Sequence, residues 1–176
     1  DVYKRQILTA FIYPIAGSWQ WGGGWLSEMG FSDFAGSTLV HSVGGYAALA
    51  GAILLGARDG KYSADGKVNV IGGCSLPMTT LGVFILWLGW FGFNGGSQLA
   101  LGSGADATAV ADIFVNTNLA AAGGVLACMI VSKATNSHTN IAATLNGAIA
   151  GLVAITAEPL TPSMGQAVII LSLIHI

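Results

Sequence analysis

The feature that most constrains this chain is the uncharged stretch between Asp33 and Arg58. The 24 residues that separate them contain no Asp, Glu, Lys or Arg. About 20 apolar residues suffice for a helix to cross the hydrocarbon core of a membrane, so the stretch predicts a transmembrane helix. It also contains His41, which a rise of about 1.5 Å per residue places roughly 12 Å from Asp33. A titratable side chain at that depth is costly and indicates a polar pathway through the membrane.

Composition extends this prediction to the whole chain. Hydrophobic residues make up 53% of the sequence, charged residues only 8%, and there are 26 glycines. An ordinary soluble domain is more polar, and small residues let membrane helices pack closely. We therefore predict an all-α, polytopic membrane helix bundle in contact with the lipid bilayer. The net charge of −2 gives no reason to expect nucleic-acid binding.

The two ends of the sequence break this pattern. Residues 1–6 (DVYKRQ) and 171–176 (LSLIHI) adjoin membrane sequence abruptly and are expected to be non-native scars. We therefore predict one membrane domain, residues 7–170, which is a fragment that starts partway through one helix and stops inside another.

Apolar runs predict the order of the helices in this domain. A partial helix ends near Ala16, a truncated helix starts near Gln166, and complete spans are predicted at residues 33–55, 68–94, 108–131 and 141–157. Pro77 is expected in an early turn of the second complete span. Pairs of small residues four apart, which favour close helix packing, occur at Gly92/Gly96, Gly147/Gly151 and Ala47/Gly51.

The basic residues orient these spans. Apart from the terminal scars, they are Arg58, Lys61, Lys67 and Lys133. They fall after the first and third complete spans, and these alternate loops are predicted to be cytoplasmic because Lys and Arg concentrate on that side. The connections around Trp21, Ser97 and Glu158 contain no Lys or Arg and are predicted to face outward.

This topology places four candidate residues at the outer face, namely Trp21, Asp33, Phe93 and Ser97. An aromatic face attracts a desolvated cation by about 0.5–2 kcal/mol, and a hydroxyl accepts a hydrogen bond from an N–H group. Together they predict a vestibule for a small cation that carries protons. Cys74 and Cys128 are expected to be reduced, buried thiols.

Each vestibule residue also has a purely structural interpretation. Trp21 has the character of a membrane-interface tryptophan, and Phe93 that of a packing residue. Asp33 is a suitable helix cap, since its carboxylate would meet the positive end of the helix dipole. His41 lacks such an alternative at membrane depth, where its neutral ring offers one donor and one acceptor. Neither a metal cluster nor a nucleophile–base pair is evident, so we expect no cofactor, no metal and no enzymatic activity.

Four sequence segments resemble the ammonium transporter family, namely WGGGWL, DFAGSTLVHSVGG, LGWFGFNGGS and NGAIAGLVAIT. The resemblance covers essentially the whole chain between the scars. It implies an eleven-helix fold of two inverted five-helix repeats and a homotrimer with one pore per subunit. This chain would then run from the end of helix 4 to the start of helix 9, in a multi-pass protein of the plasma membrane, or of the inner membrane in a bacterium.

The resemblance also implies a role for each candidate. Trp21 and Ser97 correspond to the outer site that recruits ammonium, and Phe93 to one of two phenylalanines that gate the pore. Asp33 corresponds to an acid that supports this site, and His41 to the first of two pore histidines that relay protons. The implied function is transport of ammonium and ammonia through a histidine-lined hydrophobic pore.

Parts of the family pattern lie outside this sequence. The second gate phenylalanine, the second histidine and the cytoplasmic tail for a PII-type regulator are expected elsewhere in a longer protein. The segment GGCSLP replaces a more usual Gly-His-Asn-like run. An ammonium sensor that uses the same fold stays an alternative. A Rhesus-type gas channel usually lacks the tryptophan and serine found here.

The vestibule hypothesis predicts the effect of Trp21→Leu in a full-length protein that contains this sequence. Loss of the indole face should raise the half-saturating ammonium concentration more than it lowers the maximal flux. Concentration-dependent uptake measures both quantities. An unchanged half-saturating concentration would count against the vestibule.

Overall fold

The computed structural model describes residues 2–73 and 75–174, and helices dominate both ranges. Helices α1 (Val2–Ile7) and α2 (Tyr13–Ser18) are joined by a π-helical segment, Leu8–Ile12. They are followed by α3 (Trp25–Glu28), a π-helical segment (Ser37–Ser42), α4 (Val43–Leu55), α5 (Leu76–Gly96), α6 (Gly104–Asn136), α7 (Ile141–Ile155) and α8 (Met164–Ile174). Apart from an isolated bridge between Tyr62 and Val68, these residues show no β-structure. The predicted all-α class is confirmed.

Among the described residues, three helical stretches are long and apolar enough to cross a membrane. They are Ser37–Leu55, Leu76–Gly96 and Gly104–Asn136. A fourth apolar helix, α7, has 15 residues and is shorter than a typical span. The four helices follow the predicted order. Cys74 and the end of the predicted scar 171–176, residues 175 and 176, lie outside the described residues.

The predicted start of the second span at residue 68 is wrong, because α5 begins at Leu76. The Ser75 hydroxyl accepts a hydrogen bond from the Met78 N–H at 3.3 Å, and Pro77 lies in the first turn as predicted. Proline suits this position because the first N–H groups of a helix lack intrahelical partners. The apolar residues from Val68 onward belong instead to a non-helical connection.

Helix α6 extends beyond both predicted bounds of 108–131. Ser103 and Asp106 form a reciprocal capping box at its start, and Ser137 ends it in a left-handed conformation with φ of 60°. Its 33 residues span about 50 Å, so the helix exceeds the hydrocarbon thickness of about 30 Å. Lys133, predicted to lie in the following loop, occupies the last turn of the helix.

Helix α6 packs against α5, α7 and α8, and its most extensive contact is with α7. A Cβ atom at Gly147 would lie only 2.6 Å from the Gly124 carbonyl oxygen, and one at Gly124 would lie 3.4 Å from the Gly151 Cα. Only glycines permit this separation of the two backbones, so the Gly147/Gly151 pair packs as predicted. Among the described residues, nothing lies within 4 Å of a Cβ at Gly92, Gly96 or Gly51, so the other two pairs do not mark close contacts here.

The connection between α4 and α5 carries three of the four basic residues that oriented the spans. Its Lys67 ammonium lies 2.8 Å from the Asp65 carboxylate, to which the Ser63 hydroxyl also donates. These two partners lower the pKa of Asp65, and Lys67 has the larger effect. The segment is charged and exposed, as expected of a loop outside the membrane.

The contact between α6 and α7 predicts the effect of Gly147→Ala. The added methyl group would overlap the Gly124 carbonyl and the Cys128 side chain, and overpacking of this kind costs about 1–3 kcal/mol. Thermal unfolding of a purified full-length protein in detergent should show a lower midpoint. Gly89→Ala, where no atom of another described segment lies within 4 Å of the added Cβ, is the matched control and should not lower the midpoint. Equal midpoints for the two variants would contradict this packing.

Candidate functional site

Asp33 is a buried carboxylate that closes the start of a membrane helix. It is 2% exposed, and its two oxygens accept hydrogen bonds from four backbone N–H groups at 2.8–2.9 Å. The donors are Gly36, Ser37, Thr38 and Leu39. The first N–H groups of a helix lack intrahelical partners and form the positive end of its dipole, so this arrangement offsets the cost of burying the charge.

Gly36 connects this cap to the outer tryptophan. Its φ is +104°, a left-handed conformation that glycine adopts at little cost. A Cβ at this position would overlap the Val40 side chain and lie 3.0 Å from the Trp21 ring. The Trp21 indole N–H donates to the Asp33 backbone carbonyl at 2.8 Å. Trp21 is therefore held against the start of the helix that contains His41.

His41 lies in the π-helical segment Ser37–Ser42. The Gly36 carbonyl accepts the N–H groups of Val40 and His41, each at 3.0 Å, and lies 3.1 Å from His41 Nδ1. A carbonyl only accepts hydrogen bonds, so Nδ1 is the donor in this contact, and in the tautomer that carries its one hydrogen on Nδ1 the Nε2 atom is an acceptor. Short π-helical segments are frequent at functional sites because they reorient a side chain within a helix.

Three aromatic rings meet where this helix contacts α5. His41 stacks on Trp90, with ring centroids 4.9 Å apart and planes 19° apart, and meets Phe93 edge to face at 5.4 Å. The Trp90 and Phe93 centroids are 5.9 Å apart. We call His41, Trp90 and Phe93 the ring cluster. Residues three apart in a helix share a face, so the positions of Trp90 and Phe93 on α5 allow both to reach His41.

Ser97 lies one turn beyond Phe93, just after the end of α5. Its hydroxyl donates to the Phe93 carbonyl at 2.8 Å, which leaves the hydroxyl oxygen able to accept a hydrogen bond. Within the described part of the chain, Ser97 and Trp21 share no hydrogen bond. The structure therefore pairs Trp21 with Asp33, and His41 with Phe93, while Ser97 adjoins Phe93 along the chain.

Sequence reasoning missed a buried polar group behind the ring cluster. The Trp90 indole N–H donates to the Thr156 hydroxyl at 2.8 Å, and the Asn94 amide donates to the Thr117 hydroxyl at 3.0 Å. Asn94, Thr117 and Thr156 are fully buried. Polar side chains within apolar helices were the available signal. Trp90 itself was detectable from its spacing of three residues from Phe93.

The ring cluster and the cap offer hydrogen bonding and aromatic surface rather than metal chemistry. The described residues contain no group of three or more His, Cys, Asp or Glu side chains that could hold a metal ion. Both oxygens of Asp33 are engaged by N–H groups, whereas Trp21 and Phe93 are 46% and 40% exposed. Aromatic faces and a hydroxyl oxygen are thus available to a small N–H-bearing solute.

The Asp33 cap predicts the effect of Asp33→Asn. The amide group would turn an N–H₂ donor toward backbone N–H donors, and hydrogen bonds to a charged group each contribute about 1.5–3 kcal/mol. A full-length protein should lose thermal stability in detergent and accumulate poorly in the membrane. Asp112→Asn changes an exposed carboxylate on α6 and should have little effect. Equal stability of the two variants would overturn this role of the cap.

Comparison with known proteins identifies the family to which this site belongs. The sequence profile of the Ammonium Transporter Family matches residues 3–171. A putative ammonium transporter of Synechocystis is 48% identical over 166 residues, covering 93% of this chain and 37% of the relative. Ammonium transporter Amt2 of Archaeoglobus fulgidus is 49% identical over 161 residues, covering 86% and 34%.

Solved structures agree with this assignment. One described as a Sensor Amt Protein has a TM-score of 0.88 at 43% identity and covers 94% of this chain and 42% of its own. Candida albicans Mep2 has a TM-score of 0.80 at 36% identity, covering 94% and 36%. The chain thus spans well under half the length of these relatives. By sequence and by fold, it belongs to the ammonium transporter family.

Proposed function

We propose that a protein containing this chain transports ammonium or ammonia across a membrane. The observation that carries the proposal is the ring cluster, in which a membrane-helix imidazole stacks on one aromatic ring and meets a second. An unbroken series of contacts leads from it through Gly36 and Asp33 to Trp21. The names of the curated relatives support ammonium as the substrate.

Recruitment of ammonium is assigned to Trp21, Phe93 and Ser97. The Trp21 N–H is already bonded to Asp33, so its ring face is what remains for a cation. An aromatic face attracts a partly desolvated cation by about 0.5–2 kcal/mol, and the Ser97 oxygen is able to accept an ammonium N–H. These contacts favour ammonium over an anion or an apolar gas.

Asp33 supports this site from a distance. Its oxygens each accept two backbone N–H groups, so a cation would have to displace a helix cap to bind them directly. Its negative charge still favours a cation nearby because a buried charge is only weakly screened. Asp33 therefore fixes the shape of the outer site and contributes to its potential without acting as a direct ligand.

Passage past the ring cluster is assigned to neutral ammonia. A bare cation among aromatic side chains loses its hydration, whereas the neutral molecule loses much less. We propose that ammonium gives up a proton beyond Phe93, that ammonia passes His41, and that it is reprotonated on the cytoplasmic side. The proton moves separately, with His41 as part of its relay and Nε2 as the available acceptor.

Assembly and regulation are proposed from the family alone. They comprise a homotrimer with one pore per subunit, a location in the plasma membrane and a PII-type regulator in the longer protein. A sensor with the same membrane fold is the second candidate, and one similar structure is described as a Sensor Amt Protein. A signalling domain elsewhere in the longer protein would support the sensor. The curated relatives, which are named as transporters, favour transport over sensing.

The proposal predicts that His41→Ala, in a full-length protein containing this sequence, severely alters ammonium flux or the exclusion of potassium. Removal of the imidazole takes away a proton acceptor and opens space beside Trp90 and Phe93. Ammonium-dependent current and potassium competition in proteoliposomes measure both effects. His138→Ala, in the loop before α7, is the matched control and should behave as the wild type. Normal current with full potassium exclusion in His41→Ala would exclude the pore role.

A further inference from the structure

We infer that Thr156 is a positioning residue that holds Trp90 against His41 and so sets the rate of passage through the ring cluster. The inference rests on the proposed transport function. Among the described residues, no hydrogen bond joins Thr156 to His41. Thr156 acts through the Trp90 indole, which donates to Thr156 and stacks on His41. Three contacts meet at Thr156, the residue that directly follows α7.

The first contact is the hydrogen bond from the Trp90 indole N–H to the Thr156 hydroxyl, 2.8 Å long and buried. The Thr156 hydroxyl lies 2.6 Å from the Leu152 carbonyl one turn back, and a carbonyl only accepts. The single hydroxyl hydrogen is therefore donated to Leu152 and, at the longer distance of 3.2 Å, to the Asn94 side-chain oxygen, and an oxygen lone pair is left for the indole. Thr156 is thus oriented by its own helix as an acceptor for Trp90.

The second contact ties the same residue to the helix of His41. The Thr156 backbone carbonyl accepts the Ala35 N–H at 3.0 Å, and the Ala157 carbonyl accepts the Phe34 N–H at 2.8 Å. Carbonyls at the end of a helix lack intrahelical partners, so α7 has these acceptors available. Phe34 and Ala35 directly follow Asp33, whose carboxylate caps the helix that carries His41.

The third contact involves Asn94, the residue after Phe93. Its side-chain oxygen accepts from the Thr156 hydroxyl at 3.2 Å, as the more distant of that hydrogen's two acceptors, and its amide donates to Thr117 on α6. The end of α7 therefore holds the part of α5 that carries Trp90 and Phe93. It also holds the backbone that precedes His41. Thr156 therefore contacts both sides of the ring cluster: its hydroxyl binds Trp90, and its backbone carbonyl binds the segment that precedes His41. We infer that its hydroxyl controls how closely the rings pack.

Four variants distinguish a positioning role of Thr156 from a contribution to overall stability. Thr156→Val keeps the shape of the side chain but removes the acceptor, which leaves a buried indole N–H unpaired and drives Trp90 to a new position. Thr156→Ser restores the hydroxyl with a smaller side chain. Trp90→Phe removes the N–H donor while keeping an aromatic ring. Thr80→Val on α5 removes a hydroxyl that donates to the Leu76 carbonyl of its own helix, and it serves as the matched control.

The transport experiment uses a full-length protein containing this sequence in proteoliposomes. Thr156→Val should lower maximal ammonium flux about tenfold, the effect of one lost buried hydrogen bond, while the half-saturating concentration changes less than about twofold. Thr156→Ser and Thr80→Val should match the wild type. Trp90→Phe should also lower flux, and the double variant Trp90→Phe/Thr156→Val should be no worse than the poorer single variant, because both changes break the same bond.

A second measurement does not depend on transport. Modification of His41 by diethyl pyrocarbonate, located by mass spectrometry in the purified protein, reports how well its ring is covered. Thr156→Val should increase the rate at least about threefold, since loss of the buried hydrogen bond loosens the stacked ring. Thr156→Ser and Thr80→Val should leave the rate unchanged.

The two measurements distinguish a failure of the proposed transport function from a failure of the positioning role of Thr156. A wild-type protein that moves no ammonium overturns the proposed function, and the modification rates then still decide whether Thr156 positions the rings. Unchanged modification in Thr156→Val, an equal defect in Thr156→Ser, or multiplicative flux losses in the double variant would each overturn the positioning role.

Discussion

A carboxylate buried among apolar helices must find hydrogen-bond donors, and Asp33 finds four of them at the start of one helix. An isolated buried charge would be strongly unfavourable, whereas helix N–H groups without intrahelical partners need an acceptor. Each requirement therefore satisfies the other. The cap sets where the helix begins, and the Asp33 carbonyl also holds Trp21. Asp33 consequently fixes both Trp21 and the start of the helix that carries His41.

The end of α7 links the Asp33 cap to the remainder of the bundle. Its terminal carbonyls accept N–H groups from the residues after Asp33, and its Thr156 hydroxyl accepts from Trp90. Further along α7, Gly147 lies against Gly124 of α6 closely enough to exclude a side chain. The close packing of α6 and α7 therefore fixes the end of α7, and short hydrogen bonds from that end fix the ring cluster. This framework fixes the relative positions of the three rings.

Much of the architecture was predictable because long apolar runs have few alternatives in a membrane. Helix order, the all-α class and close packing at Gly147 followed from that constraint. The start of α5 did not, since Val68 and its apolar neighbours resemble the beginning of a span until the Ser75 cap and Pro77 are considered. The length of α6 was underestimated because hydropathy detects the apolar part of a helix and ignores its polar ends.

The sequence alone determined that this is a membrane protein with an imidazole inside one span, and its motifs identified the family. Hydropathy, charge and local spacing carry that information within short segments. Only the tertiary structure decided that His41 stacks on Trp90, and that Thr156, 66 residues from Trp90, is its buried partner. Contacts between distant segments depend on how helices pack and on where each buried donor finds an acceptor. Periodicity along the chain does not specify either one.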